Sequence, residues 1–354
     1  MELTPEIRAQ LAEQKKQCIF CKIISKEQEG KIVFEDDKTM AVLDIYPALK
    51  GHILYFLKEH YPIMPYIPAD EFKHLFGLIP QLSEVLKKSM LSTGVNVFIA
   101  NGGPAGQRAP HFMLHLFPRE NADGFFNLLY KKKSILAEDK IKMLSNNLPL
   151  MMTNHFKRNP ADWHTGKGDV PSYLSDVYDN VIYEDEKVLC VVPKKGVAEG
   201  DIEIHSKLEE KYIEKLSIED ASHLFYAASF AATAVFEGLG AHATNIILKS
   251  GEAEDNPQGK LVINVIPRWQ EDSLQGLLWE PKQPSYDLDK IAGKIKDKTW
   301  KVKYAEKNAD TKKEASSVIQ PKVIKIGGSD NKSHEDNKPG SAEDEIRKAI
   351  EGLK

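Results

Sequence analysis

One spacing constrains this chain more than any other: its two halves repeat at a constant offset of 149 residues. KIVFEDDKTMAVLDIYP (31–47) resembles NVIYEDEKVLCVVPKKG (180–196), and HLFGL (74–78) resembles HLFYA (223–227). GVNVFIANGG (94–103) resembles ATNIILKSGE (243–252), HLFPR (115–119) aligns with NVIPR (264–268), and FFNLLY (125–130) aligns with LQGLLW (274–279). Ordered matches at one spacing, with no gap between them, read as a tandem duplication with units near 15–130 and 175–280. The chain must therefore build the same unit twice.

Each unit reads as α+β. Two short strands rich in β-branched and aromatic residues flank an acidic turn at Glu35–Asp37, and HILYFL adds a third. A helix follows, opened by Pro68-Ala69-Asp70 in the first unit and by Ser217-Ile218-Glu219 in the second. Its apolar positions Phe72, Leu75, Phe76, Ile79, Leu82 and Leu86 have helical spacing, with Pro80 expected to kink it. VNVFIA and HFMLHLF close the unit around a Gly-rich loop, giving about five antiparallel strands and one main helix per copy. The expected organisation is 1–130, a first domain; 131–174, a linker with the lysine run Lys131–Lys133 and a short helix AEDKIKML; and 175–304, a degenerate second domain. In 305–354, Lys, Asp, Glu, Ser and Asn dominate, which predicts a largely disordered tail. Within that tail VIQPKVIKI (318–326) could pair as a strand, and SAEDEIRKAIEGL could form an amphipathic helix that docks on the body or on an unknown protein.

The bulk properties exclude several classes. A formal net charge of −4 gives no basic field for nucleic acid. No apolar run approaches the roughly 18 residues that would span a bilayer, and MELTPEIRAQLAEQKKQ lacks the apolar core of a secretory signal. The expected location is the cytoplasm, with no membrane partner. The cysteines are Cys18, Cys21 and Cys190; so few argue against a disulfide scaffold. Cys190, in VLCVV, reads as a small buried hydrophobe.

Histidines divide the halves. The first unit has His52, His60, His74, His111 and His115; the second has Asp201, Glu209, His223, Lys260 and Asn264 at the same places. The shared pair His74 and His223 begins an apolar helical face and reads as structural. Whatever needs the other histidines belongs to the first unit, together with the C-x-x-C of CIFC, whose counterparts are Lys167 and Val170. That motif means metal, redox chemistry or nothing; two cysteines from one turn supply half of a tetrahedral zinc set.

CIFCKII (18–24), VFEDDKTMAVLDIYPALKGHILYFLKEH (33–60), IANGGPAGQ (99–107) and PHFMLHLFPR (110–119) together resemble the histidine triad (HIT) superfamily of nucleotide-binding proteins, in its zinc-containing branch. The resemblance covers about 18–130 well and extends in degenerate form to about 280. It implies a structural zinc on Cys18, Cys21, His60 and His111. It places ribose recognition on Asp44, the base between Ile19, Phe20 and Ile45, and the phosphate at Asn101, Gln107, His115 and the loop GGPAGQ. For the three base residues ordinary core packing is the competing reading. Arg108 stands where relatives often carry a small hydroxyl residue, and would either clamp the phosphate or block the pocket. Family members dimerise through helix and central strand into a ten-stranded sheet; a tandem chain would do so internally, as an intramolecular pseudo-dimer.

In triad enzymes the middle histidine of H-x-H-x-H attacks the α-phosphorus. Here His111 and His115 are the outer two and Met113 holds the nucleophile's place. A thioether relays no proton and would make a poor phosphorylated intermediate, so the covalent route is closed. Three readings follow. The first is a protein that binds a purine nucleoside monophosphate or a nucleotide conjugate. The second is a hydrolase or transferase acting on a phosphoramidate or dinucleoside polyphosphate by direct attack, with His115 keeping a residual role. The third is a non-binding scaffold. Pro193, Lys260, Val262 and Asn264 replace the ribose aspartate and the triad in the second unit, which predicts no standard site there.

Overall fold

Strands β1 (Ile32–Glu35), β2 (Thr39–Leu43), β3 (Ile53–Leu57), β4 (Gly94–Asn101) and β5 (Leu114–Arg119) come from the first half. Strands β6 (Val181–Glu184), β7 (Val188–Val191), β8 (Ile202–Ser206), β9 (Ala243–Gly251) and β10 (Val262–Arg268) come from the second. The computed structural model describes residues 5–305, apart from 126–133, 162, 163, 165, 176, 179, 273 and 275–277. The lysine run, most of FFNLLY and the whole tail after 305, with its two expected elements, lie outside the described residues.

The ten strands form one antiparallel sheet in the order β1-β2-β3-β5-β4-β9-β10-β8-β7-β6, which reads the same from either edge when the halves are exchanged. β4 and β9 meet at the centre, both buried along their whole length. In that pairing Phe98 lies opposite Ile247, the residue 149 positions on. Both outer hairpins carry an irregularity at matching places, between Ile32 and Phe34 and between Val181 and Tyr183.

Helices cover one face. In the first half α3 (Ala69–Gly77) and α4 (Ile79–Met90) are separate helices, broken at Leu78 just before Pro80. Ser229 stands at the position of Pro80 in the second half, and α6 (Ile218–Leu239) runs unbroken, N-capped by Ser217, whose side chain accepts from the Asp220 N–H. Proline's missing N–H and its clash with the preceding turn account for the difference. The helices pack on each other: Phe76 stacks on Phe225 at 4.6 Å between ring centroids, and Ser222 Oγ donates to the Lys73 carbonyl at 3.1 Å.

α1 (Pro5–Gln17) and α2 (Ile19–Ile24) lead into the sheet. The short linker helix expected at AEDKIKML is in fact the 21-residue α5 (Glu138–Arg158); it buries Leu144, Leu148, Met152 and Phe156 and continues through Pro149. A helix not expected, α7 (Leu288–Thr299), is N-capped by Asp287 and returns to the first half, where Thr299 Oγ1 donates to the Val33 carbonyl at 2.9 Å. Among the described residues no helix is long and apolar enough to cross a membrane.

Candidate functional site

The C-x-x-C forms the N-terminus of α2, with Cys18 as its N-cap residue. That turn carries both thiols to the end of β3 and the approach to β5. Cys18 Sγ lies 3.5 Å from His111 Nδ1, and Cys21 Sγ lies 3.3 Å from His60 Nδ1 and 3.6 Å from His111 Nδ1. All four ligand atoms fall within 4.8 Å of one another. A tetrahedron with Zn–S bonds of about 2.3 Å and Zn–N bonds of about 2.0 Å has edges near these lengths, so the donor set fits that cation. His111 Nε2 donates to the Leu57 carbonyl at 2.9 Å, which leaves Nδ1 unprotonated and facing the thiols. Buried His60 has no partner for Nε2 among the described residues, so the cluster itself accounts for where its ring sits. A hydrogen bond from the Cys21 thiol draws the Cys18 thiol well below its ordinary range, while Cys21, beside that sulfur, is held protonated. Two sulfurs sharing a proton in a buried site are what a divalent cation would replace.

The sequence predicts one strand over HFMLHLF. The strand instead begins at Leu114. Leu114, His115 and Leu116 pair with Tyr55, Leu54 and Ile53 of β3, but two residues earlier the chain leaves the ladder. There the His111 ring bonds the Leu57 carbonyl, and the Phe112 N–H bonds Tyr61 O at 2.6 Å.

Beside the cluster lies a cavity of about 220 Å³, lined among others by Phe20, Asp44, Leu54, Phe98, Arg108, Met113, His115 and Trp279. His115 forms its floor, between Leu54 on β3 and Phe98 on β4. Trp279, from the second half, stands edge-on to His115 at 5.2 Å and to Phe98 at 5.2 Å, and so covers the imidazole. A larger cleft of about 870 Å³ opens next to it, sharing Gly106, Arg108, Leu278 and Trp279. Burial, with the Arg108 charge adding to it, pushes the His115 imidazole down to about 3, so the ring is neutral at pH 7.

His52, to which no role was given from sequence, is central here. Its ring is completely buried, with Nδ1 3.2 Å from Asp44 Oδ2 and Nε2 3.0 Å from His115 Nδ1. Burial pushes this histidine well below its usual range and raises the Asp44 carboxyl. Asp44 follows β2 directly, and its Oδ1 accepts from the Tyr46 N–H at 2.8 Å. The signal was present in the sequence: Asp44, His52 and His115 are replaced together, by Pro193, Asp201 and Asn264.

Several of the expected contact residues lie outside the cavity or are held by other partners. Asn101 is absent from the cavity lining: Oδ1 accepts from the Met64 N–H at 3.1 Å and Nδ2 reaches Thr244 Oγ1 at 3.4 Å. Gln107 lines the cavity, but its amide is spent on Gly102 N, Pro62 O and Ala109 O, bracing the Gly-rich loop. Backbone groups that would otherwise be unpaired explain both. Ile19 and Ile45 are 45% and 52% exposed, which rules out core packing, yet neither lines the cavity; Phe20 does. The shared histidines are structural, His74 bonded to Asp36 at 2.7 Å and His223 to Asp185 at 2.8 Å.

In the second half, Asp201 Oδ2 accepts from the Val197 N–H at 3.0 Å, and Glu203 pairs with His205 at 3.1 Å. Asp255, at the position of Gly106, turns inward onto Arg119 and Asn96 of the first half. The segment that corresponds to the Gly-rich loop is thus used in packing.

A family model described as "HIT domain" matches residues 25–122. An uncharacterized HIT-like protein of Methanocaldococcus jannaschii is 42% identical over 125 residues, covering 35% of this chain and 96% of the relative. An adenosine 5'-monophosphoramidase of Candida albicans is 35% identical over 108 residues, covering 29% of this chain and 71% of that protein. Among solved structures, a zinc-bound histidine triad family protein from Mycobacterium smegmatis is 29% identical, covers 31% of this chain and 80% of that one, and has a TM-score of 0.29. The chain belongs to the HIT family.

Proposed function

We propose that the first half holds a structural zinc ion and binds a purine nucleoside monophosphate or a nucleotide conjugate over His115, without forming a nucleotidylated histidine. Cys18, Cys21, His60 and His111 would hold the metal; four protein ligands leave no open position, so its chemistry would be a cross-link between α2 and the approach to β5. The observation that carries the nucleotide reading is the cavity, with Asp44 in its lining for a ribose and His115 with Arg108 for a phosphate. Met113 lines the same cavity and offers no nucleophilic nitrogen. Purines are favoured because a relative is named an adenosine 5'-monophosphoramidase.

The chain as a whole is a fused pair of one unit, an intramolecular pseudo-dimer whose second half has lost its site and covers the first with Trp279. The palindromic strand order and the Phe98–Ile247 pairing support this. A second reading, hydrolysis by direct attack of water, is favoured by the Asp44–His52–His115 array, which could handle a proton without residue 113. Isothermal titration of zinc-replete protein with AMP and GMP tests the binding reading. Saturable heat with either supports it; none with both overturns it and leaves a scaffold.

A further inference from the structure

We propose that the groove between α4 and the end of α7 is a docking site for this chain's own segment SAEDEIRKAIEGL (341–353), bound as an amphipathic helix.

The groove, of about 230 Å³, has Glu84, Val85 and Lys88 on one side and Lys298, Trp300 and Lys301 on the other. Gln81 ties the sides together: its Nε2 donates to the Lys303 carbonyl at 2.9 Å, and its Oε1 accepts from the Lys303 N–H at 2.8 Å. Trp300 is 70% exposed, with Lys301 Nζ 5.2 Å from its ring centroid. Leu91, which ends α4 three places after Lys88, is 86% exposed. Both are unusual for side chains of this size, and exposed apolar surface with a polar rim marks a contact site. The rim is cationic. Lys88, Lys298 and Lys301 surround one lining carboxylate, Glu84, which pairs with Lys88. That bond, with the charges of Lys301 and Lys215, holds the Glu84 carboxyl below its ordinary range.

The segment 341–353 has the complementary chemistry. Ile346, Ile350 and Leu353 recur at helical spacing, and Glu343, Asp344 and Glu345 run just ahead of them. The other apolar stretch beyond 305, VIQPKVIKI, carries Lys322 and Lys325 and would bring like charge to the rim. Reach is ample. Val302 lines the groove, and the described chain ends three residues later, at most about 11 Å of extended backbone. As a random coil, residues 306–340 would span about 30–35 Å. A tethered segment has an effective concentration on the order of 1 mM, so an intrinsic Kd of about 0.1 mM would leave it about 90% docked. A helix this short is marginal alone in water, so lasting protection of its amides requires docking.

Hydrogen–deuterium exchange of the full chain, read by mass spectrometry over 341–353, tests this. In wild type these amides should exchange about tenfold slower than in a synthetic peptide of the same sequence, and dilution should not change the ratio. Lys298→Glu with Lys301→Glu should restore the free-peptide rate, and so should Glu343→Lys with Glu345→Lys. The two pairs combined should recover the protection, which a merely weakened helix would not do. Free-peptide exchange in wild type overturns the proposal, and so does protection that survives both charge reversals. Protection lost on dilution gives the groove to the tail of a second copy and overturns docking within one chain. Free exchange over 341–353 together with binding to phosphatidylserine vesicles that the lysine reversals abolish makes the groove a lipid surface instead. Should the lysine variant not fold, Trp300→Ala decides: it must raise exchange over 341–353 toward the free-peptide rate, and unchanged protection overturns the proposal.

Discussion

Arg119 and Asp255 meet at 2.7 Å with neither side chain exposed, tying β5 of the first half to the loop after β9 of the second. Asp123 and the Phe125 carbonyl also accept from the guanidinium, and Lys249 lies 3.4 Å from Asp255. Arg268 and Asp272 repeat the Arg119–Asp123 pair 149 residues on, at 2.7 Å against 2.6 Å. The joint between the halves is therefore ionic as well as apolar.

Removing one partner strands the other. Asp255→Ala leaves Arg119 short of one bond and Lys249 without its carboxylate, and should cost about 3–5 kcal/mol, the usual penalty for breaking a buried pair. Urea unfolding should show an earlier midpoint with an unchanged slope. A loss below about 1 kcal/mol would mean that water reaches the joint.

Cys18→Ser removes one thiolate from the four-ligand set. Wild type should carry one zinc per chain by elemental analysis, and the variant should carry much less. Chelation of wild type should lower its melting temperature toward the variant's. Metal-free wild type would refute the zinc assignment.

Met113→His restores an imidazole where the cavity lining has a thioether. Incubated with an adenosine phosphoramidate, the variant should gain the mass of one adenylyl group, while wild type stays unmodified. An adduct on wild type would place the nucleophile elsewhere.

Trp279→Ala uncovers His115 and Phe98. Affinity for AMP should fall by about tenfold, roughly 1.4 kcal/mol, with the zinc content unchanged. Equal affinity would show that the second half contributes nothing to the cavity.

Acid should destabilise the fold through its neutral histidines. Burial lowers His115 to about 3, His155 to about 4 and His52 well below its usual range. Between those values and the ordinary histidine pKa of about 6.5, the unfolded chain binds more protons, so stability rises with pH. It should be complete above about pH 6.5 and decline progressively as pH falls toward the folded values. Melting temperatures from pH 7.5 to 4.5 test this, and His52→Gln should flatten the slope.

Much of the architecture was legible because the chain states it twice. β-Branched and aromatic runs beside turn signals placed the strands, Ser217 and Pro80 behaved as cap and break, and the 149-residue offset located equivalent elements. That Cys18, Cys21, His60 and His111 would gather was legible from the family resemblance, and the second half's lack of these residue types at matching positions placed the site in the first. His52 was seen as part of that asymmetry but given no role, because its contacts with Asp44 and His115 arise between strands distant in sequence. Asn101 and Gln107 were read as phosphate ligands; an amide in a Gly-rich loop looks the same from sequence whether it faces a ligand or the backbone.

By itself, then, the sequence determined which half keeps the thiols and imidazoles, which elements the two units share, and that position 113 has no nucleophilic nitrogen. Those are properties of residue type and spacing. Only the tertiary structure decided that Trp279 of one half closes over His115 of the other, that Asp255 spends its charge on Arg119, and that His52 stands between Asp44 and His115. Each depends on which side chains the sheet brings within hydrogen-bonding or van der Waals reach, and no local pattern encodes that distance.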